Sequence, residues 1–282
     1  MSIRVTGAVA TNELNLHCIN SWEAKFLRKE VGSYFAHGIQ LHGGATVVDV
    51  GANIGIFSAS VYNLLNSDVR VVAFEPLPPI FAVLERNMQE RCGGRATALP
   101  YGLSSCEGEV EFTYFPRATV LSSSVRSREN VEPKERRRVA EDIARWAKDG
   151  GAGLILKQVP AFIIRSIVKL GLRSLKQTET HRVRVRPLSA VIDELGIKVI
   201  DLLKIDVEGA EVDVLNGIDE HHWPMIHQAV VEVEDWEKNY PLVQEIFEPR
   251  YVQVHAVQDS FQKTLNIGMF YAIGSLDRTG VS

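Results

Sequence analysis

Two blocks of short Val- and Ile-rich runs alternate with helical patterns, and this alternation restricts the fold more than any other feature of the chain. The first block reads TVVDVG, IGIFSASVYNLLN, VRVVAFEP, IFAVLERNMQE and ATALPYG. The second reads VIDLLKID, EGAEVDVLNGI, QAVVEVE, YPLVQEIFE, YVQVHAV and IGMFYAI. Apolar runs of this length suit strands buried on both faces, and parallel strands need helical crossovers between them. The pattern therefore predicts an α/β fold, a parallel sheet with helices on both faces. YVQVHAV and IGMFYAI have no long helical segment between them and are expected to pair antiparallel at one edge.

A single domain is expected over residues 1–282, with 1–44 as an N-terminal helical extension and 117–180 as a basic helical insertion. In the extension, residues 21–37 set Trp22, Phe26, Leu27 and Phe35 at roughly helical intervals, with Ser21 as N-cap and Gly38 as stop. Residues 117–180 hold 14 Lys and Arg against 7 Asp and Glu, whereas the whole chain has a net charge of -4. The stretch VRSRENVEPKERRRVAEDIARWAKDGG reads as a charged helix, and LILKQVPAFIIRSIVKLGLRSLK as an apolar one studded with Lys157, Arg165, Lys169 and Arg173. Lying between the third and fourth strand units, the insertion is placed to act as a substrate lid that excludes water and recognises an anion, either on the substrate or on an acidic carrier protein. A solvated charged helix and a membrane-surface contact by 154–173 are the alternatives. Nucleic acid is a poorer partner, because the basic residues lack interleaved aromatic stacking groups.

At 45% hydrophobic and 23% charged residues, the composition excludes disordered and collagen-like classes. The start, MSIRVTGAVATNELNLHC, lacks the features of a secretory signal, and no apolar stretch approaches 18 residues. The expectation is a cytoplasmic protein with no transmembrane segment. Cys18, Cys92 and Cys106 are odd in number and form no Cys-x-x-Cys pair, which predicts reduced thiols and no cysteine zinc site. His221 and His222 precede Trp223-Pro224 in an expected loop and are expected to face solvent.

VVDVGANIGIFS, residues Val47 to Ser58, joins a buried strand to a helix through Gly51, Asn53 and Gly55. Gly51 permits the turn, Gly55 permits close packing or ligand approach, and Asn53 tolerates left-handed backbone angles. Free backbone amides at the start of the helix are expected to face a ligand. Glu75, after the second strand, can accept hydrogen bonds from ribose hydroxyls. Two cofactors suit this frame, a nicotinamide dinucleotide and S-adenosylmethionine. The spacing D-x-G-x-N-x-G, rather than G-x-G-x-x-G, favours the sulfonium cofactor, whose cationic amine is compatible with Asp49.

The chain resembles the FkbM-type methyltransferases, a branch of the class I S-adenosylmethionine-dependent enzymes. The matching stretches are YFAHGIQL, VVDVGANIGIFS, AFEPLP, YGLSS, LLKIDVEGAEVDVLNGI and QAVVEVED. The resemblance implies a Rossmann-like, mostly parallel seven-stranded sheet. It also implies a cofactor site in which Asp49, Gly51, Asn53 and Gly55 take the methionine part and Glu75 the ribose. Leu103 and Ser104 would lie beside adenine, Asp206 would face the methyl group, and Tyr34 and His37 would approach cofactor or substrate. The implied reaction is methylation of a hydroxyl, often on a secondary metabolite or a sugar, sometimes on a carrier-bound intermediate. Many relatives end the fifth strand with Glu-Val-His-Asp, where this chain has Glu232, Val233, Glu234 and Asp235.

Methyl transfer is an in-line displacement in which the enzyme aligns the nucleophile and removes its proton. Asp206 and Glu208, two residues apart after a strand, with Glu232 or Glu234 on the adjacent strand end, form the expected carboxylate cluster. A general base, a divalent-metal set and a structural role compete there, with the metal not favoured. Lys204 is expected to pair with one of these acids or to lie near the substrate oxygen. No histidine or carboxylate spacing indicates a zinc site. Sugar or N-methylation, and a non-catalytic S-adenosylmethionine-binding scaffold, are the competing functions.

Overall fold

The computed structural model describes residues 14–116, 119, 122–124 and 179–275. Its strands are β1 (Ala45–Val50), β2 (Val69–Phe74), β3 (Ala96–Leu99), β4 (Gly102–Leu103), β5 (Gly108–Tyr114), β6 (Ser123–Ser124), β7 (Glu179–Arg186), β8 (Leu202–Ile205), β9 (Gln228–Val233), β10 (Tyr251–Val257) and β11 (Gly268–Ser275). The helices are α1 (Ser21–Glu30), α2 (Ile56–Leu64), α3 (Pro78–Cys92), α4 (Leu188–Leu195), α5 (Glu211–Asn216), α6 (Trp236–Phe247) and α7 (Ser260–Leu265). Seven strands form one sheet in the order β10-β11-β9-β8-β1-β2-β3. All pairings are parallel except those of β11, which runs antiparallel to both β9 and β10. The expected antiparallel edge is present, and the strand order reverses between β1 and β8. Ligands of open α/β sheets bind at such a switch point, outside the carboxyl ends of the strands.

The two-residue side-chain period of the strands divides the interior into two cores. Val47, Leu202 and Val230 point into one with Ile56, Phe57, Ile80 and Leu84 of α2 and α3. Val48, Val50, Leu203, Ile205, Val231 and Val233 point into the other with Val191 of α4, Val214 of α5 and Val243 of α6. Each side chain of this kind, fully buried, contributes about 1.5–3 kcal/mol. Val31, Tyr34, Phe35, Ile39 and Leu41 of the N-terminal segment are buried in the first core, so that segment is packed into the sheet's own interior.

Four local expectations differ from the structure. The first helix ends at Glu30 and is followed by a single 3₁₀ turn at Ser33–Phe35, because Tyr34 and Phe35 turn into the core instead of continuing the helix. Asn20, not Ser21, occupies its N-cap position, and the Asn20 amide donates to the Pro116 carbonyl at 3.3 Å. The last long helix begins at Trp236, upstream of YPLVQEIFE, and carries Pro241 within it. A second sheet of four strands, in the order β4-β7-β5-β6, was not foreseen. The two helices expected within 117–180 lie outside the described residues.

Candidate active site

The carboxyl ends of β1, β8 and β9 bring several buried charges together. Parallel register sets Asp49 of β1 beside Lys204 of β8. Asp49 is fully buried, accepting a hydrogen bond from Ser58 Oγ at 2.7 Å and facing Lys204 Nζ at 3.1 Å. The Lys204 ammonium, also buried, donates to the Gly51 carbonyl at 3.0 Å and lies 3.4 Å from Asp206 Oδ2. The rings of Tyr34 and Phe57 are 5.4 and 5.9 Å from it, within cation–π range. Burial disfavours the charge on Lys204, but Asp49 and Asp206 outweigh it and the ammonium is held above its usual range.

Asp206 follows β8 and retains 23% side-chain exposure. Its Oδ2 accepts the Tyr34 hydroxyl at 2.9 Å. Burial and then the Asp206 charge hold the Tyr34 phenol well above its usual range, so it remains a donor. Asp206 is therefore fixed between a cation and a phenol. Glu232 lies at the end of β9, where burial, Asp206 and Glu30 hold its carboxyl well above the usual range. Glu30, the last residue of α1, is pushed up to about 7 by burial and then by Asp206. Glu234, just past β9, adds its negative charge to the surroundings of Glu232 and Glu211.

The glycine turn proves tighter than the sequence implies. Gly51 has φ +75°, and a Cβ there would lie 1.8 Å from the Asp206 carbonyl oxygen. Gly55 has φ +85°, and its Cβ would meet Met88 at 2.6 Å and Leu84 at 2.8 Å. What comes so close to this backbone is thus the rest of the protein: the chain leaving β8 and the side chains of α3. Across residues 51–55, ahead of the helix start at Ile56, the backbone amides are satisfied within the protein. The Gly51 and Ala52 amides donate to the Phe74 carbonyl at 3.1 and 2.9 Å, and that of Gly55 to the Ala52 carbonyl at 2.8 Å. The Ile54 amide donates to Asn53 Oδ1 at 2.8 Å, and the Asn53 amide to Glu75. The turn runs beside the end of β2 and is satisfied there.

Glu75 is nearly buried, and its Oε1 accepts the Leu77 amide at 2.9 Å. Burial, opposed by these amides, pushes its carboxyl up to about 7. Leu103 is buried in the same core as Phe74 and Tyr101, and the Ser104 amide donates to the Arg186 carbonyl at 3.0 Å. His37 is exposed and takes another direction from Tyr34, its ring packing 4.7 Å from Tyr271 and 5.6 Å from His255. Burial and His255 lower its pKa.

Four residues of this region were not singled out in the sequence. They are Ser58, Glu30, Glu211 and Tyr271. Glu211 is buried at the start of α5, accepts the Gly209 amide at 2.7 Å and is pushed up to about 8 by burial. Tyr271 donates to the Ser33 carbonyl at 2.9 Å, and burial followed by Glu232 raises it to about 12. Ser58 had a signal, standing one helical turn inside the helix that follows the glycine turn. Glu30 had none, because nothing local tells a buried helix-end acid from a solvated one.

The donor set is rich in acids, with turn amides already satisfied. It suits a cationic, phosphate-free nucleoside with ribose hydroxyls, which is the chemistry of S-adenosylmethionine. The sheet order, the single antiparallel strand and the acid-lined switch point define a class I methyltransferase architecture. A model of the methyltransferase FkbM domain matches residues 49–265, and the chain belongs to this family of methyltransferases, which implies use of S-adenosylmethionine.

It is similar to the AMB antimetabolite synthetase AmbE of Pseudomonas aeruginosa, 36% identical over 220 residues that cover 77% of this chain and 10% of that protein. The match thus spans a tenth of that relative's length. The methyltransferase sdnD of Sordaria araneosa is 33% identical, with 81% of each chain covered. The 31-O-demethyl-FK506 methyltransferase FkbM of Streptomyces tacrolimicus is 36% identical, with 77% of each chain covered. No helix among the described residues is long and apolar enough to cross a membrane.

Proposed function

We propose that this protein transfers the methyl group of S-adenosylmethionine to a hydroxyl of a small natural-product intermediate, free or tethered to an acidic carrier protein. The observation that carries this reading is the fixing of Asp206 by Tyr34 and Lys204 at the switch point, beside Glu232. In this mechanism Asp206 holds the acceptor hydroxyl in line and takes its proton while the carbon–oxygen bond forms and the carbon–sulfur bond breaks. Lys204 and Tyr34 position Asp206. Glu234 supplies negative charge that favours a cationic donor, and Glu232, held above its usual range by burial, is driven toward its ionised form when a cation enters. Asp49 and Glu75 are assigned to the methionine and ribose parts, with Leu103 and Ser104 beside the adenine.

The name of the Streptomyces tacrolimicus relative describes an O-demethyl acceptor, which supports oxygen as the methylated atom. The net charge of +7 over residues 117–180, from 14 basic and 7 acidic side chains, supports an acidic carrier. A second reading, methylation of an amine, is favoured by the carboxyl cluster of Glu30, Asp206 and Glu232, which would also attract an ammonium. The test is Asp206→Asn assayed against hydroxyl and amine acceptors, with S-adenosylhomocysteine affinity measured in parallel. Turnover is expected to fall by about 10²-fold or more while the affinity changes only a few-fold. Unchanged turnover removes Asp206 as the base, and wild-type binding without turnover on any acceptor favours the scaffold reading.

A further inference from the structure

The opposite, amino-terminal end of the central strands holds a cluster that the methyl-transfer site does not use. Asp193 stands in the last turn of α4, ahead of β8, and His221 and His222 stand in the turn ahead of β9. Both connections enter the amino-terminal ends of their strands, whereas Asp49, Asp206 and Glu232 lie at the carboxyl ends. The position of Asp193 is set by the helix end, where Gly196 at φ +59° returns its amide to the Asp193 carbonyl at 3.2 Å. Contrary to the sequence expectation, His222 is buried, because Ser189 and the body of α4 cover it; His221 is exposed.

The candidate ligand atoms of Asp193, His221 and His222 all lie within 4.8 Å of one another. His222 Nε2 is 3.2 Å from Asp193 Oδ1, close to the spacing of about 3.3 Å between neighbouring ligands of a tetrahedral ion with bonds near 2.0 Å. The other ring nitrogen is already held: His222 Nδ1 is 2.8 Å from Ser189 Oγ, which in turn accepts the Asp219 amide at 2.7 Å. Metal-bound imidazoles are oriented by a hydrogen bond of this kind at the second nitrogen. The adjacent Glu220 is engaged elsewhere, by Arg250.

We propose that Asp193, His221 and His222 form a binding site for a divalent transition cation of the zinc type. In the metal-free protein Ser189 donates to Nδ1 and Nε2–H donates to Asp193. On binding, the ring changes tautomer: its one N–H proton moves from Nε2 to Nδ1 by exchange with solvent, Nδ1–H donates to Ser189 Oγ, and the Nε2 lone pair goes to the ion with no net release of a proton. The exposed Asp193 and His221 side chains close on the ion, and water completes its shell. Two imidazoles and a carboxylate favour zinc over magnesium or calcium, which prefer all-oxygen shells. The ion ties α4 to the entrance of β9, which gives it a structural effect away from the methyl acceptor.

The test is calorimetric titration of Zn²⁺ into the full-length, metal-stripped protein without a polyhistidine tag, beside His221→Ala and Asp193→Asn. Both altered side chains are exposed, so the variants retain the fold, which unchanged thermal melting in chelator checks. One site per chain is expected, at least tenfold weaker in each variant, with a zinc-dependent rise in melting temperature in the wild type that is lost in His221→Ala. Equal zinc affinity in wild type and His221→Ala, or no zinc-dependent melting shift in the wild type, overturns the site.

Discussion

Replacing Lys204 by Met removes the cation that holds two carboxylates and leaves a side chain of similar length in its place. Asp49, with 0% exposure, then has no cation within contact. At an effective dielectric of about 20, a pair at 3.1 Å and one at 3.4 Å each amount to about 5 kcal/mol of gross attraction. Desolvation of the buried ammonium offsets much of that sum. Breaking a buried pair from one side therefore costs about 3–5 kcal/mol, because the remaining carboxylate stays buried and uncompensated. Urea unfolding with a common m-value measures the change. The same reasoning requires that Asp49→Asn partly rescue Lys204→Met, since an amide needs no cation, giving a coupling of about 2 kcal/mol in the double-mutant cycle. A loss below about 1 kcal/mol for Lys204→Met, or strict additivity in the cycle, refutes the account of Lys204 as the counter-charge of Asp49.

Gly51→Ala is expected to cost about 3 kcal/mol or more and to abolish S-adenosylhomocysteine binding, because its Cβ would lie 1.8 Å from the Asp206 carbonyl. Gly196→Ala, in the αL region at φ +59° and ψ 36° and with nothing within 4 Å, should cost about 1 kcal/mol; equal losses in the two variants, read by urea unfolding, contradict the close approach at Gly51. Glu75 is raised from 4.5 to about 7, so the folded state binds its proton more tightly than the unfolded one. Its contribution is therefore most favourable below about pH 4.5 and is lost as pH rises toward 7, by about 3 kcal/mol in all. The stability difference between wild type and Glu75→Gln should shift by about 2.5 kcal/mol between pH 5 and 8, and a flat difference contradicts it.

The parallel sheet was legible because its strands are buried on both faces and read as unbroken apolar runs. The second sheet was largely hidden, since β4 and β6 have two residues each and cannot show a period. In β7, however, Arg182, Arg184 and Arg186 alternate with Val183 and Val185, a two-residue period that marks a half-exposed strand. Charge obscured it: Arg182 pairs with Glu111 on the neighbouring strand and Arg184 with Glu107, which only pairing across the sheet reveals. Similarly, Asp49, Glu75 and Asp206 could be placed at strand ends from local pattern alone. That Tyr34 donates to Asp206 across 172 residues could not.

What the chain determined by itself is whatever depends on nearest neighbours along it. The strand and helix periods, the positive-φ positions at Gly51, Asn53 and Gly55, and the acids at the ends of β1, β2 and β8 follow from local sterics and side-chain alternation. Tertiary structure decided which of those groups lose water and which charges face one another. Lys204 became the buried partner of two carboxylates, the turn amides were satisfied by β2, and His222 was drawn inward against Ser189. Desolvation and Coulomb energy depend on distance through space, and that distance is set only when β1, β8 and β9 lie side by side.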